Sequence, residues 1–143
     1  MLTNKGKYGL KAMVHLAGLR ENEIAQVAQI AEANHIPKKF LDQIFADLRR
    51  AGLVYSKKGK AGGYALAKPS GEIHVGQIIR AIDGPIAPFL CASASAYRPC
   101  DDCDEGVCAV RRLMIEARNA LSSVLDTRTL ADMRVRPDVK EAA

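Results

Sequence analysis

The chain has 143 residues, 48% of them hydrophobic, which is one domain's worth or a small head plus a dimerising tail. Its formal charge of +5 is unevenly spread: Lys38–Lys68 holds eight Lys or Arg against two Asp, while Cys91–Cys108 holds one Arg against four acidic residues. A polyanion would choose the first region and a cation the second. No apolar run approaches the roughly 20 residues of a membrane span, and Met1–Tyr8 lacks the apolar core of a secretion signal. The expectation is a cytoplasmic protein without a membrane partner, where structural disulfides are rare and cysteines point to metal or redox chemistry.

Residues 3–20 carry a helical pattern, with Thr3 as N-cap and Leu10, Met13, Val14, Leu16 and Ala17 on the apolar face. Gly6 and Gly9 weaken its first turns. A second helix is expected over 26–34, with Val27, Ile30 and Ala31 inward. Pro37 starts a third that runs to about Ala51 and is closed by Gly52. The third helix buries Phe40, Leu41, Ile44, Phe45 and Leu48 and turns Lys38, Lys39, Gln43, Asp47 and Arg50 outward. Two short helices joined by a tight turn, the second with a basic face, form a helix-turn-helix pattern. The same residues would also suit two amphipathic helices of a bundle.

The next stretch favours the first reading. Leu53–Tyr55 and Tyr64–Leu66 read as strands, and Lys57–Gly63 is a basic, glycine-rich tip between them. A basic hairpin directly after a helix-turn-helix is a wing. A plain solvated hairpin is the bland alternative. A nucleotide-binding loop fits less well, because its spacing is absent and no helix begins after the glycines. Lys38, Lys39, Gln43 and Arg50 would then face the major groove or its phosphates, with Gln43 suited to adenine. Lys58 and Lys60, with Gly62 and Gly63 allowing close backbone approach, would meet the minor groove.

Residues 75–83 form a fourth helix with Val75, Ile78, Ile79 and Ile82 inward, ended by Gly84–Pro85. All four cysteines follow as C-x8-C-x2-C-x4-C: Cys91, Cys100, Cys103 and Cys108, in a stretch without hydrophobic period. The longest helix comes next, to about Leu125. Its Val110, Leu113, Met114, Ala117, Leu121, Val124 and Leu125 recur by threes and fours. At 1.5 Å per residue it spans about 27 Å and needs a partner, either a symmetry mate or the first helix of its own chain. Thr129 caps a last short helix over 130–133, and a polar, frayed tail is expected beyond. The expected organisation is a winged helix-turn-helix head over 1–84, a cysteine-rich sensor loop over 85–108, a dimerisation helix and short helix over 109–133, and a flexible tail over 134–143. The fold class is mainly α with a small β-wing.

This order of parts resembles the iron–sulfur-cluster regulator family of bacterial winged-helix transcription factors, of the IscR, NsrR and RirA type. The resemblance rests on Thr3–Tyr8, Ile36–Leu48, Gly52–Val54, Lys58–Leu66, Val75–Ile79, the cysteine loop and Leu125–Asp132. It implies a homodimer that binds palindromic double-stranded operators, expected to act as a repressor, with a cluster or redox event in the loop changing DNA affinity. It also implies departures. Many members carry three cysteines near C-x5-C-x5-C, whereas this chain has four. Cys91 and Cys108 match the outer pair, and Cys100 and Cys103 compete for one place or share two. Arg111 stands where some members have a histidine, and an arginine is a poor ligand. Tyr8 lies nearest to where others draw a ligand from the partner.

Four readings of the loop stand together: a 2Fe–2S or 4Fe–4S cluster, structural zinc on four thiolates, a cysteine redox switch, and unliganded thiols. Of the histidines, His15 reads as structural, His35 as a cap or phosphate contact, and His74 as a helix cap. No acid or base is spaced for a triad with Ser93 or Ser95, so no enzyme is expected. An interaction adaptor without DNA affinity is the alternative of another class.

Overall fold

The structure is a computed structural model that describes residues 2–60 and 62–134. Ala61 of the wing tip and the tail beyond Arg134 lie outside the described residues. Helix α1 (Asn4–Ala17) starts at Thr3, whose backbone is extended and whose Oγ1 accepts the Gly6 N–H at 3.1 Å. The expected helix over 3–20 ends earlier, at Gly18, whose N–H reaches back to the carbonyls of His15 and Val14 at 3.1 and 3.3 Å. Helices α2 (Val27–Asn34) and α3 (Lys38–Arg50) follow. His35 closes α2 in the left-handed conformation (φ 54°), and Pro37 sits directly before α3.

Strands β1 (Val54–Lys57) and β2 (Gly63–Leu66) pair antiparallel, from Val54 opposite Leu66 to Lys57 opposite Gly63. Tyr64 also exchanges both backbone hydrogen bonds with Ala25, at 2.8 and 3.0 Å, so the hairpin is joined to the chain ahead of α2. Its ring stacks on Phe45 with centroids 4.2 Å apart. Helices α4 (Val75–Asp83) and α5 (Ala109–Leu125) complete the fold, with 3-10 turns at Ser70–Glu72, Leu90–Ala92 and Ala131–Met133. The last turn replaces the short helix expected over 130–133.

The core lies where α1, α2, α3, α4 and β1 meet. Met13, Ile30, Leu41, Ile44, Phe45, Leu48, Ile73, Ile78 and Leu130 are fully buried there. Burial of such a side chain stabilises by about 1.5–3 kcal/mol. Gly6 and Gly9, weak points by helix propensity, have a packing reason. A Cβ on Gly6 would overlap the Asp83 carboxylate, and one on Gly9 would overlap Cδ1 of Ile82, so the missing side chains let α1 lie against α4. Asp83 in turn accepts the Thr3 N–H at 3.0 Å and the Thr3 hydroxyl at 2.5 Å.

Helix α5 has no fully buried residue. Its Leu121 and Leu125 cover a small cluster of Val75, Ile79 and Ile86, while Val110, Leu113 and Val124 are each more than half exposed. Its main neighbours are α4 and the Leu90–Ala92 turn, and those of α1 are α4, α3, α2 and β2. The C-terminal end of α5 is fastened to α4 by a bidentate pair, with Arg80 NH1 and NH2 at 2.6 and 2.9 Å from the Asp126 carboxylate. Those bonds hold the Asp126 carboxyl below the usual range against the opposing effect of burial. Gly76 lies beneath this pair, where a Cβ would overlap the carboxylate. Leu130 and Val75 then tie the segment after α5 back to the head, through Leu130 N–H to Ile73 O at 3.0 Å and Val75 N–H to Arg128 O at 2.9 Å.

Candidate functional site

Two surfaces carry the chemistry. The first is the outer face of α3 with the hairpin. Lys38, Lys39, Gln43 and Arg50 are all exposed on α3, and Lys58 and Lys60 are exposed at the hairpin tip. The helix holds its apolar stripe in the core and therefore shows this basic stripe to solvent. Arg49 is occupied by a 3.4 Å contact to Ser56 Oγ on β1. The glycines of the tip differ in their roles. Gly59 takes a positive φ of 116°, and the Gly62 N–H donates to its carbonyl at 2.9 Å, closing the turn. Gly62 and Gly63 have ordinary φ. They are small because a Cβ would strike the carbonyl of Lys57 in one case and of Ala25 in the other.

Asp47 corrects the reading of this face. Sequence spacing put it outside with Gln43 and Arg50, yet only 8% of it is exposed. Its carboxylate lies 2.5 Å from Lys5 Nζ of α1, accepts the Gln43 side-chain N–H at 2.9 Å, and meets Arg50 NH1 at 3.4 Å. Burial pushes this carboxyl up, but the hydrogen bonds from Lys5 and Gln43 and the charges of Lys5 and Arg50 outweigh it, so the group is held below its ordinary value. Gln43 spends one N–H on Asp47 and keeps a second N–H and its carbonyl, enough for a bidentate contact to adenine.

The second surface is the thiol pocket. Cys91, Cys100, Cys103 and Cys108 line one cavity of about 610 Å³ together with Phe89, Leu90, Arg98, Pro99, Asp102, Val110 and Arg111. Cys91 lies in the 3-10 turn before the loop. Cys108 is the N-cap of α5, and its Sγ accepts the Arg111 N–H at 3.4 Å. The Cys100 and Cys103 sulfurs and an Asp102 oxygen lie within 4.8 Å of one another. The exposed Cys103 thiol is pushed up to about 12, chiefly by its hydrogen bond with Cys100, with further contributions from burial and from the Cys100 and Cys108 sulfurs. The Cys100 and Cys103 sulfurs thus converge, and Cys91 and Cys108 line the same space. All four cysteines are free thiols. This donor set suits a thiophilic ion or an iron–sulfur cluster.

The acidic residues of the loop organise it. Glu105 accepts the Cys100 N–H at 2.7 Å and the Tyr97 hydroxyl, and Arg111 Nε lies 3.8 Å away. The Tyr97 and Cys100 bonds hold its carboxyl down against burial. Arg111 Nε also donates to Cys91 O at 2.8 Å, and Arg118 NH1 donates to Ala92 O at 2.8 Å. Sequence reasoning passed over Lys5, Glu105 and Arg118 as site residues. Only the seven-residue spacing of Arg111 and Arg118, which puts them on one face of α5, was available as a signal. Tyr8 packs against Phe40, with ring centroids 5.2 Å apart. His15 is structural, its Nδ1 lying 3.0 Å from the Asn34 amide. His74 precedes α4, and its backbone N–H donates to the Gln77 side chain at 2.9 Å. No helix among the described residues is long and apolar enough to cross a membrane.

Comparison with known proteins agrees with this arrangement. Residues 2–136 match the Rrf2 family model, described as an iron-dependent transcriptional regulator. An rrf2-like HTH-type transcriptional regulator of Rhodobacter capsulatus is 43% identical over 137 residues, covering 93% of this chain and 91% of the relative. The structure of CymR, the global cysteine regulator of B. subtilis, superposes with a TM-score of 0.75 at 35% identity, covering 93% of this chain and 95% of CymR. That of T. potens IscR gives 0.74 at 32% identity, covering 93% and 85%. With its helix-turn-helix, its two-stranded wing and these relatives, the chain belongs to the Rrf2 family of winged-helix, DNA-binding transcriptional regulators, which are not enzymes.

Proposed function

We propose that the protein is a cytoplasmic homodimer that binds a palindromic operator, as a repressor, and that a thiolate-bound centre on Cys91, Cys100, Cys103 and Cys108 sets its affinity for DNA. One observation carries the second half. All four cysteines of the chain, which span 18 positions, line a single cavity where the head meets α5. Four thiolates match an iron–sulfur cluster and equally a structural zinc ion. When bound, such a centre supplies a positive charge that draws protons off the thiols and joins the Cys100–Cys103 turn to Cys91 and Cys108.

The chain's own residues do the rest. Lys38, Lys39 and Arg50 neutralise phosphates, Gln43 reads a base edge, and Lys58 and Lys60 flank the minor groove. The exposed apolar face of α5, with Val110, Leu113 and Val124, supplies the dimer contact and so sets the separation of the two α3 helices. The head is taken as 1–84, the sensor segment as 85–108 and the dimer helix as 109–133.

A metal-free thiol switch is the second reading, favoured by the adjacent Cys100 and Cys103 sulfurs. The raised Cys103 thiol makes Cys103 the poorer attacking group of that pair, because a protonated thiol is a weak nucleophile. The deciding experiment is anaerobic purification followed by visible absorption, iron, zinc and sulfide analysis, and gel shifts at fixed salt on loaded and stripped protein. Iron and sulfide with a visible chromophore, and a shift that depends on them, support the cluster. Colourless protein with one zinc per chain replaces it with zinc, and metal-free protein whose shift follows thiol oxidation replaces it with the switch.

A further inference from the structure

Within the thiol pocket the four cysteines are held very differently. Cys100 and Cys103 sit on a turn held to the rest of the loop by the Cys100 N–H on Glu105, and Cys103 is exposed. Cys91 sits in a segment that is pinned from several sides. Ala92 and Ser93 are buried, at 1% and 5% exposure. The Ala92, Ser93 and Arg98 N–H groups donate to Phe89 O, Leu90 O and Leu90 O at 3.0, 3.1 and 3.2 Å. Two consecutive carbonyls, of Cys91 and Ala92, each accept from an arginine of α5, at 2.8 Å in both cases.

Arg111 and Arg118 are seven residues apart, close to two full turns, so both project from one face of α5 about 10 Å apart along its axis. Each guanidinium is otherwise occupied. Arg111 lies over the Tyr97 ring at 5.8 Å and beside Glu105, and Arg118 is held by Asn119 Oδ1 at 2.8 and 3.1 Å. Such prior fixing lowers the freedom the carbonyl contacts must remove.

Resting on the reading of a thiolate-bound centre, we infer that Arg111 and Arg118 are positioning residues for Cys91: they clamp the Cys91 and Ala92 carbonyls to α5, and hold Cys91 in register with Cys108 whether or not a metal is bound. Arg111 thereby has a role in the pocket although it cannot ligate. The end of α5 away from the pocket is braced separately, by Arg80 and Asp126. What the metal fastens is the Cys100–Cys103 turn, brought onto a half-site already formed by Cys91 and Cys108.

The test uses the reduced full-length protein, stripped of metal, and reads amide hydrogen exchange by mass spectrometry. In the wild type, amides of residues 90–98 exchange at least about tenfold more slowly than those of 101–107. In R111Q/R118Q the first group speeds up by about tenfold or more, while α1, α3 and α4 are unchanged. R111Q/R118K, which can still donate to Ala92 O, keeps part of the protection that R111Q/R118Q loses. Cadmium titration, followed by thiolate charge-transfer absorption, loses about 10- to 100-fold in affinity in R111Q/R118Q with an unaltered melting temperature. Equal exchange of the two segments in the wild type overturns the inference, as does unchanged exchange at 90–98 in the folded double variant. Should that variant unfold, R118Q alone is read on the same amides. Wild-type protein that shows the exchange pattern yet takes up no cadmium sinks the metal reading and leaves the clamp standing.

Discussion

Lys5 Nζ of α1 lies 2.5 Å from the buried Asp47 carboxylate of α3, so the helix that presents the DNA-facing side chains is tethered to the N-terminal helix by charge as well as by packing. Asp47 also holds Gln43 of its own helix, so Lys5 of α1 acts on the orientation of the proposed base reader through Asp47. Replacing Lys5 with Met leaves Asp47 with weaker partners and is expected to cost about 2 kcal/mol in urea unfolding at pH 7. The folded-state carboxyl is held below its ordinary value, so its contribution is full above the unfolded value of about 3.9 and fades as pH falls through the lower folded one. The gap between wild type and K5M should therefore narrow in acid below about pH 4. A gap that widens there would contradict the assignment.

DNA contacts divide into reading and anchoring. Gln43→Ala is expected to lower operator affinity by about 1–3 kcal/mol and to relax preference at one position per half-site, measured by competition with single-base operator variants. Replacing Lys58 and Lys60 with Ala should weaken binding to all sequences alike and reduce the log–log salt slope by about 1.8 per wing. A salt slope equal to the wild type's would remove the wing from the interface.

Glycine substitutions separate propensity from packing on α1. Gly18 has an ordinary φ of −84° and room for a Cβ, so Gly18→Ala should stabilise by about 0.4–1 kcal/mol through the unfolded state. Gly6→Ala gains a similar helix propensity but displaces Asp83 from Thr3, so thermal melts should show no net gain, or a loss. Equal stabilisation by both would mean that α1 and α4 do not pack as closely as the structure has them.

Single serine substitutions test the ligand set. If all four thiols bind, C91S, C100S, C103S and C108S each lower metal content per chain or change the visible spectrum of anaerobic protein. Full occupancy with an unchanged spectrum in C103S alone would reduce the set to three cysteines and return the fourth place to another donor.

Much of this protein is local and was legible in its residues. The apolar stripes of α1, α3 and α4, the turn between α2 and α3, the wing between Val54 and Leu66 and the start of α5 at Cys108 all follow from periodicity and turn chemistry, because each depends on neighbours within a few positions. The basic face of α3 was legible for the same reason: a helix that buries Leu41, Ile44, Phe45 and Leu48 must show Lys38, Lys39, Gln43 and Arg50. Tertiary structure alone decided the rest. Helical spacing placed Asp47 in solvent, and the approach of Lys5, 42 positions away, adds the cation that its burial needs beside Gln43 and Arg50. Gly6 and Gly9 looked like defects of propensity until the neighbouring Asp83 and Ile82 showed what a Cβ would displace. The same holds at the thiols. Their clustering was written in the chain, but the unequal hold on them was not, because Arg111 and Arg118 reach Cys91 and Ala92 across 20 and 26 positions and hydrogen-bond the backbone there, which no pattern of side chains reveals.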